Sequence, residues 1–205
     1  MTTDDQGSVS LVDPATVRVR FARALSKLYF IRTAVSLAWV ITVSVLSTSL
    51  GQTTAPGAGI ELLLVAYPLA DAAATLIDIR TTPVQSQTLF QRVNLASSLL
   101  AAAAVLIVAQ RGIGAVLDVF GIWAVVSGAI QVVIALRRHT LISAQWLMVI
   151  SGAGSLFAGT TFLTWRGSTH DGLAVLTQYS TGGAVWYVIA ALWLAATSLK
   201  TSRPA

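Results

Sequence analysis

The chain has 205 residues, of which 55% are hydrophobic and only 10% charged, against roughly 25% charged in an average soluble domain. With a mean hydropathy of +0.76 it cannot clothe a globular surface in polar groups, so water is the wrong solvent for most of it. Cysteine is absent, which excludes disulfide frameworks, thiolate metal sites and thiol chemistry.

Residues 1–15 hold Gly, Ser, Asp and Pro14 without apolar periodicity and read as disordered. Residues 16–27 mix apolar and basic positions. They form either an interfacial helix on anionic lipid or a helical extension of the first span. This makes 1–27 a cytoplasmic N-terminal segment, 28–200 the membrane domain and 201–205 a cytoplasmic tail. A helix needs about 20 mostly apolar residues to cross the hydrocarbon core, and six stretches satisfy that: 28–50, 59–79, 93–110, 113–136, 145–164 and 174–198. The third break is little more than Gln110-Arg111-Gly112, so spans three and four form a tight hairpin. Trp146 and Trp165 bracket span five at the spacing of two interfacial belts. Trp39, Trp123, Trp186 and Trp193 lie deeper and read as packing or lipid-facing residues. The predicted fold class is all-α: a polytopic membrane protein of six transmembrane helices arranged as three helical hairpins.

Cytoplasmic loops retain Lys and Arg, so the basic residues orient the chain. Arg18, Arg20, Arg23, Lys27, Arg80, Arg92, Arg137, Arg138, Lys200 and Arg203 fall on one side, and only Arg111 and Arg166 on the other. Arg32 lies inside the first span. The ten-to-two split puts both termini in the cytoplasm. The same scatter lacks a basic stripe with interleaved aromatics, so nucleic acid is not an expected partner.

The out-and-back pairs return to basic residues at intervals of about sixty residues, a repeat logic inside a bilayer. Texture recurs in the return helices, as Tyr67-Pro68-Leu69-Ala70-Asp71-Ala72, Gly121-Ile122-Trp123-Ala124-Val125-Val126-Ser127-Gly128 and, more loosely, Tyr187-Val188-Ile189-Ala190-Ala191. The second of these, followed by Ala135-Leu136-Arg137-Arg138, resembles the HdeD family of short-repeat bacterial inner-membrane proteins with six spans. Trp146-Leu147 leading into Ser151-Gly152-Ala153-Gly154-Ser155-Leu156-Phe157-Ala158-Gly159 extends the likeness. Pro68 and Ala72 depart from the family's pattern in the first hairpin. The resemblance implies a multi-pass protein of the bacterial plasma membrane with a role in acid or envelope stress.

Small residues come first among the candidate sites. Ser151, Ser155 and Gly159 are spaced by four on one face of span five, and Gly128 with Ala124 offers a similar face on span four. They read as places where helices approach closely. Ionisable groups within spans are the sharper signal, because each is costly if unpaired. Glu61, Pro68, Asp71, Thr75 and Asp78 share one face of span two, which should look into the bundle. Asp71 is the deepest acid, and Arg32 enters span one at comparable depth on the adjacent antiparallel helix. Together they predict an intramembrane ion pair, read either as a structural clasp of the first hairpin or as a titrating site in a proton or ion path. Glu61 and Asp118, both near the external face, are candidates for an acidic vestibule. Asn94, Gln131 and Gln178 read as interhelical hydrogen bonders.

His139 and His170 fall in different polar connections, so no metal or cofactor is expected. No nucleophile elbow, His-Glu-x-x-His pair, P-loop or dinucleotide fingerprint occurs. The expected partners are the lipid bilayer and either further copies of the chain or other membrane proteins. The sequence therefore predicts a non-enzymatic integral membrane protein of the HdeD type, with a small transporter or channel using Asp71 and Arg32 as the alternative.

Overall fold

Lipid offers no partner to a bare peptide group, so an apolar segment that crosses a bilayer must close its own backbone hydrogen bonds, and a helix does this within one segment. In a computed structural model the chain does so six times: α1 Pro14–Ser47, α2 Ala58–Thr81, α3 Leu89–Val108, α4 Ile113–Arg138, α5 Gln145–Thr164 and α6 Thr169–Thr201. The structure describes residues 13–48, 57–83, 88–164 and 169–201, and among them no strand occurs. All six helices are long and apolar enough to span a membrane. The stretch 1–12, read as disordered, lies outside the described residues, as do Trp165 and 202–205.

Of the two readings for 16–27, the structure has the continuous helix. α1 begins at Pro14, with fixed φ suited to a first turn, and Phe21 and Leu25 are buried in the bundle. The packed unit therefore starts ahead of residue 28. Between α3 and α4 the chain tightens into a 3₁₀ turn, Ala109–Arg111, and reverses at Gly112, whose φ of 97° disfavours any side chain. Pro68, Gly182 and Gly183 leave α2 and α6 as unbroken helices.

The helices form a ring in sequence order, closed by α1 against α6. The most extensive interfaces are α4 with α5, α1 with α6 and α2 with α3. These join successive hairpins, whereas the two helices within each hairpin touch less, and α5 with α6 least. Tight and loose seams thus alternate around the ring, as three repeated hairpins would give. Along α1 and α6, Ser26 Oγ donates to the Ala191 carbonyl at 2.8 Å and the Tyr29 and Tyr187 rings lie 5.5 Å apart.

Two apolar clusters fill opposite ends. One gathers Trp39, Val43, Leu64, Val105, Leu117 and Phe120 towards the Glu61 end. The other gathers Phe21, Leu25, Leu28, Leu147, Met148 and Leu194 towards the basic end, where Arg80 and Arg137 lie.

The α4–α5 seam is a backbone-to-backbone contact. A Cβ on Gly128 would lie 2.7 Å from the Gly152 carbonyl oxygen, and one on Gly152 2.8 Å from that of Gly128. Gly121 and Gly159 repeat this reciprocity one heptad away, at 2.9 and 2.6 Å. Helices in lipid gain no hydrophobic drive from meeting, so such close approach supplies the contact. Gly128 and Gly159 were legible as packing positions, and their partners Gly152 and Gly121 emerge only from the pairing. Ser151 is buried, while Ser155 reaches across to the Tyr179 hydroxyl on α6 at 3.2 Å. Gly128→Leu should lower the unfolding midpoint of the detergent-purified protein, by an overpacking cost of about 1–3 kcal/mol. Gly182→Ala, whose Cβ meets nothing within 4 Å, should hold it or raise it by up to about 1 kcal/mol.

Candidate functional site

The inward face of α2 carries Pro68, Asp71, Thr75 and Asp78 into the bundle. Asp71 lies ten residues before Thr81, about 15 Å along the helix at 1.5 Å per residue, and so near the middle of the span. There Arg32 of α1 meets its Oδ1 in a direct ion pair. Oδ2 accepts from Asn94 Nδ2 at 3.0 Å and from Ser98 Oγ at 2.7 Å, both on α3. All three contacts are donors, which an ionised carboxylate requires.

The terminal guanidinium nitrogens make further contacts. Nη2 donates to Thr75 Oγ1 at 3.2 Å, and Nη1 to the Tyr187 hydroxyl of α6, also at 3.2 Å. Thr75 accepts again from Asn94 at 3.0 Å, and Ser98 accepts from the Trp123 indole of α4 at 3.1 Å. Five of the six helices therefore meet in one hydrogen-bonded cluster. Trp123 in turn stands edge-on to Tyr67 and Phe120, at ring separations of 5.9 and 5.7 Å, so an aromatic wall backs the cluster on the Glu61 side.

A second ion pair lies one heptad further along α2. Arg138 Nη2 reaches Asp78 Oδ1 at 3.0 Å, Oδ2 at 3.1 Å and Thr82 Oγ1 at 3.0 Å, and its guanidinium lies over the Phe21 ring. The sequence reading counts Arg138 among the basic residues of the cytoplasmic side and gives it no partner. The structure adds one: Arg138 is buried against Asp78, while its neighbour Arg137 is exposed over Phe90. The missed signal was periodicity. Ala124, Gly128, Gln131, Ala135 and Arg138 follow a four-three spacing and so share the interior face of α4.

Between the two pairs and around them lies a cavity of about 500 Å³ that residues from all six helices line. Its charged lining consists of Arg32, Asp71, Asp78 and Arg138, which pair with one another. The remaining polar lining is amide and hydroxyl, from residues such as Gln145, Ser127 and Tyr179. Gln145 is 3% exposed and its side-chain nitrogen has no hydrogen-bond partner. Nothing in its isolated position at the start of span five signalled this.

The remaining candidates stand apart. Glu61 accepts from Gln110 Nε2 at 2.6 Å. Asp118 is exposed on the outward stripe of α4 with Ile122 and Val126. Neither lines the cavity, and the structure does not join them into a vestibule. Asn94 and Gln131 do bridge helices, Gln131 through the Met148 carbonyl at 3.2 Å, and Gln178 is exposed at the cavity's edge. His139 caps α4 from an exposed position. No group of three or more His, Asp or Glu residues converges on a common point among the described residues. Set against models of known families, curated proteins and solved structures, the chain matches none.

Removing one partner of a buried pair strands the other charge. Asp71→Ala should cost about 3–5 kcal/mol, read as a lower unfolding midpoint and a lower folded yield. Arg32→Met with Asp71→Leu should recover most of that loss. An equal loss in the double variant would show that packing, not charge pairing, holds this junction.

Proposed function

We propose that the chain is a non-enzymatic integral membrane protein whose central cavity binds and moves a small solute, with Arg32 and Asp71 as its fixed polar waist. The cavity itself supports this reading. Interiors are normally filled to crystal-like density, and polar groups inside a membrane bundle are costly. A bundle serving packing alone would fill this space with Leu and Val. Here a mainly apolar wall, with tyrosines, amides and hydroxyls set into it, surrounds some 500 Å³ of open volume, a size suited to a small ligand. A hydrolytic role has little support, because Ser98 donates to a carboxylate and His139 lies exposed at the end of α4.

A second reading has its own observation. Both oxygens of Asp71 are satisfied by protein donors, as a purely structural clasp would be. On this reading the resemblance to the HdeD family carries the function, an acid- or envelope-stress role exerted through lipid or through partner membrane proteins, further copies of this chain included. Under either reading the ten-to-two distribution of basic residues favours an orientation with both termini cytoplasmic, and the resemblance to the HdeD family implies a bacterial plasma membrane.

Flux into proteoliposomes separates the two. A panel of protons, potassium, glycerol and a fluorescent short-chain monoacylglycerol should include at least one solute that crosses several-fold faster than in empty vesicles. Ser127→Trp, which places a large ring in the cavity, should return that rate to the empty-vesicle level. No accelerated flux for any member would reject the transport reading in favour of the clasp.

A further inference from the structure

Glycine inside a helix is destabilising relative to alanine unless something requires it. The pairs Gly121 with Gly159 and Gly128 with Gly152 have such a reason in the α4–α5 contact. Gly154 on α5 and Gly182 and Gly183 on α6 do not: a Cβ at each would meet nothing within 4 Å. All three line the central cavity, and Gly154 and Gly182 are exposed. They stand in the α5–α6 seam, the least extensive interface between sequential helices.

That seam is closed on either side of them. Towards the basic end the Trp146 and Trp193 rings meet at 6.3 Å and the Ser143 and Thr197 hydroxyls at 3.3 Å. Towards the other end Ser155 meets Tyr179. Along the bundle axis, the two apolar clusters occupy the ends of the cavity. Sideways routes at the depth of the acyl chains lie at the loose seams: at α1–α2, where the exposed Ile31, Val35 and Ile77 also line the cavity but the Arg32–Asp71 pair crosses, and at α5–α6, where the glycines leave the seam without side chains.

Two features describe what would use it. The four charged lining groups form two internal pairs, so an incoming net charge would find no counter-charge in a low-dielectric space. The buried Gln145 amide nitrogen, by contrast, lacks an acceptor. Gln145 opens α5 at the basic end, next to the exposed Trp146, a position suited to the headgroup region. A head bearing an acceptor oxygen would meet it there while keeping the depth it has in the leaflet.

We propose that the α5–α6 seam is a lateral portal through which a neutral amphiphile passes from the bilayer into the cavity, its acceptor-bearing head taking the Gln145 amide. This rests on the solute-binding reading above and names its substrate class. The glycines hold the window open by the absence of side chains, and the Gln145 side chain, whose nitrogen is covered, turns towards the cavity to meet the head.

The test is photolabelling in phosphatidylcholine nanodiscs with a monoacylglycerol carrying a diazirine in a dodecanoyl chain. The same chain ending in a sulfate or a trimethylammonium group provides the charged comparisons. Met148 faces the cavity and Phe157, on the same helix, is 73% exposed outside it. The neutral probe should label Met148 saturably, at least tenfold above either charged probe, and Phe157 without saturation. Gln145→Leu should weaken the saturable component by about fivefold, as loss of one buried hydrogen bond does. Gly182→Leu or Gly154→Leu should abolish Met148 labelling while leaving the unfolding midpoint near that of the unaltered protein, one variant standing in if the other fails to fold. Labelling confined to Phe157, equal labelling of Met148 by a charged probe, or unchanged labelling in both portal variants would overturn the proposal. Flux that Ser127→Trp blocks, without Met148 labelling, would overturn the portal and leave the transport reading standing. Absence of both flux and labelling would remove the two together.

Discussion

The arrangement of this bundle depends on the meeting of Arg32 with Asp71 at mid-span. Neither group is tolerable alone among apolar helices, so each fixes where the other must be, and with them the relation of α1 to α2. The acid then has a second oxygen to satisfy, which Asn94 and Ser98 do from α3, and the guanidinium has further donors, which Thr75 and Tyr187 take up. The hydrogen bonds around one ion pair thus recruit α3 and α6, and through Trp123 also α4. The second pair, Arg138 with Asp78, fixes α4 to α2 again one heptad nearer the basic end.

A polar centre of this kind prevents the helices from closing on their axis. Guanidinium, carboxylate and amide groups must keep hydrogen-bonding geometry, and the side chains that hold them apart leave the central volume open. Close packing is displaced to the ends and to the seams. The aromatic group of Trp39, Tyr67, Phe120 and Trp123 closes one end, and Phe21, Leu25 and Leu194 belong to the cluster at the other. The α4–α5 contact, glycine on glycine, provides the tightest approach. The alternation of tight and loose seams leaves one place where the ring touches least, between α5 and α6.

The parts of this that could be read along the chain are those set by local pattern. Span number follows from apolar length, and the helical hairpin at Gln110-Arg111-Gly112 follows from a break too short for anything else. The face of α2 that holds Asp71, Thr75 and Asp78 follows from the helical period, and Arg32 was identifiable as the partner of Asp71 because opposite charges at one depth have few other resolutions. Arg138 was obscured because a basic residue at the end of a span has two uses: solvated topology marker or buried partner. Only the burial of its face distinguishes them. Gln145 carried no signal, since an unpartnered amide is a property of its surroundings and not of its position.

By itself the sequence determined the solvent, the number of spans and the faces on which its few charges lie, since those follow from hydropathy and a fixed period of 3.6 residues. The tertiary structure alone decided which faces meet. The partners of Gly128 and Gly159, the closure of the ring by α1 and α6, and the cavity with Gly154 and Gly182 in its lining all depend on separations between segments far apart in the chain. The physical reason is that apolar surface in lipid is not selective: one helix face is as compatible with acyl chains as with another helix. Selection falls to close backbone contact and to complete hydrogen bonding of buried charge, and both are properties of pairs of segments.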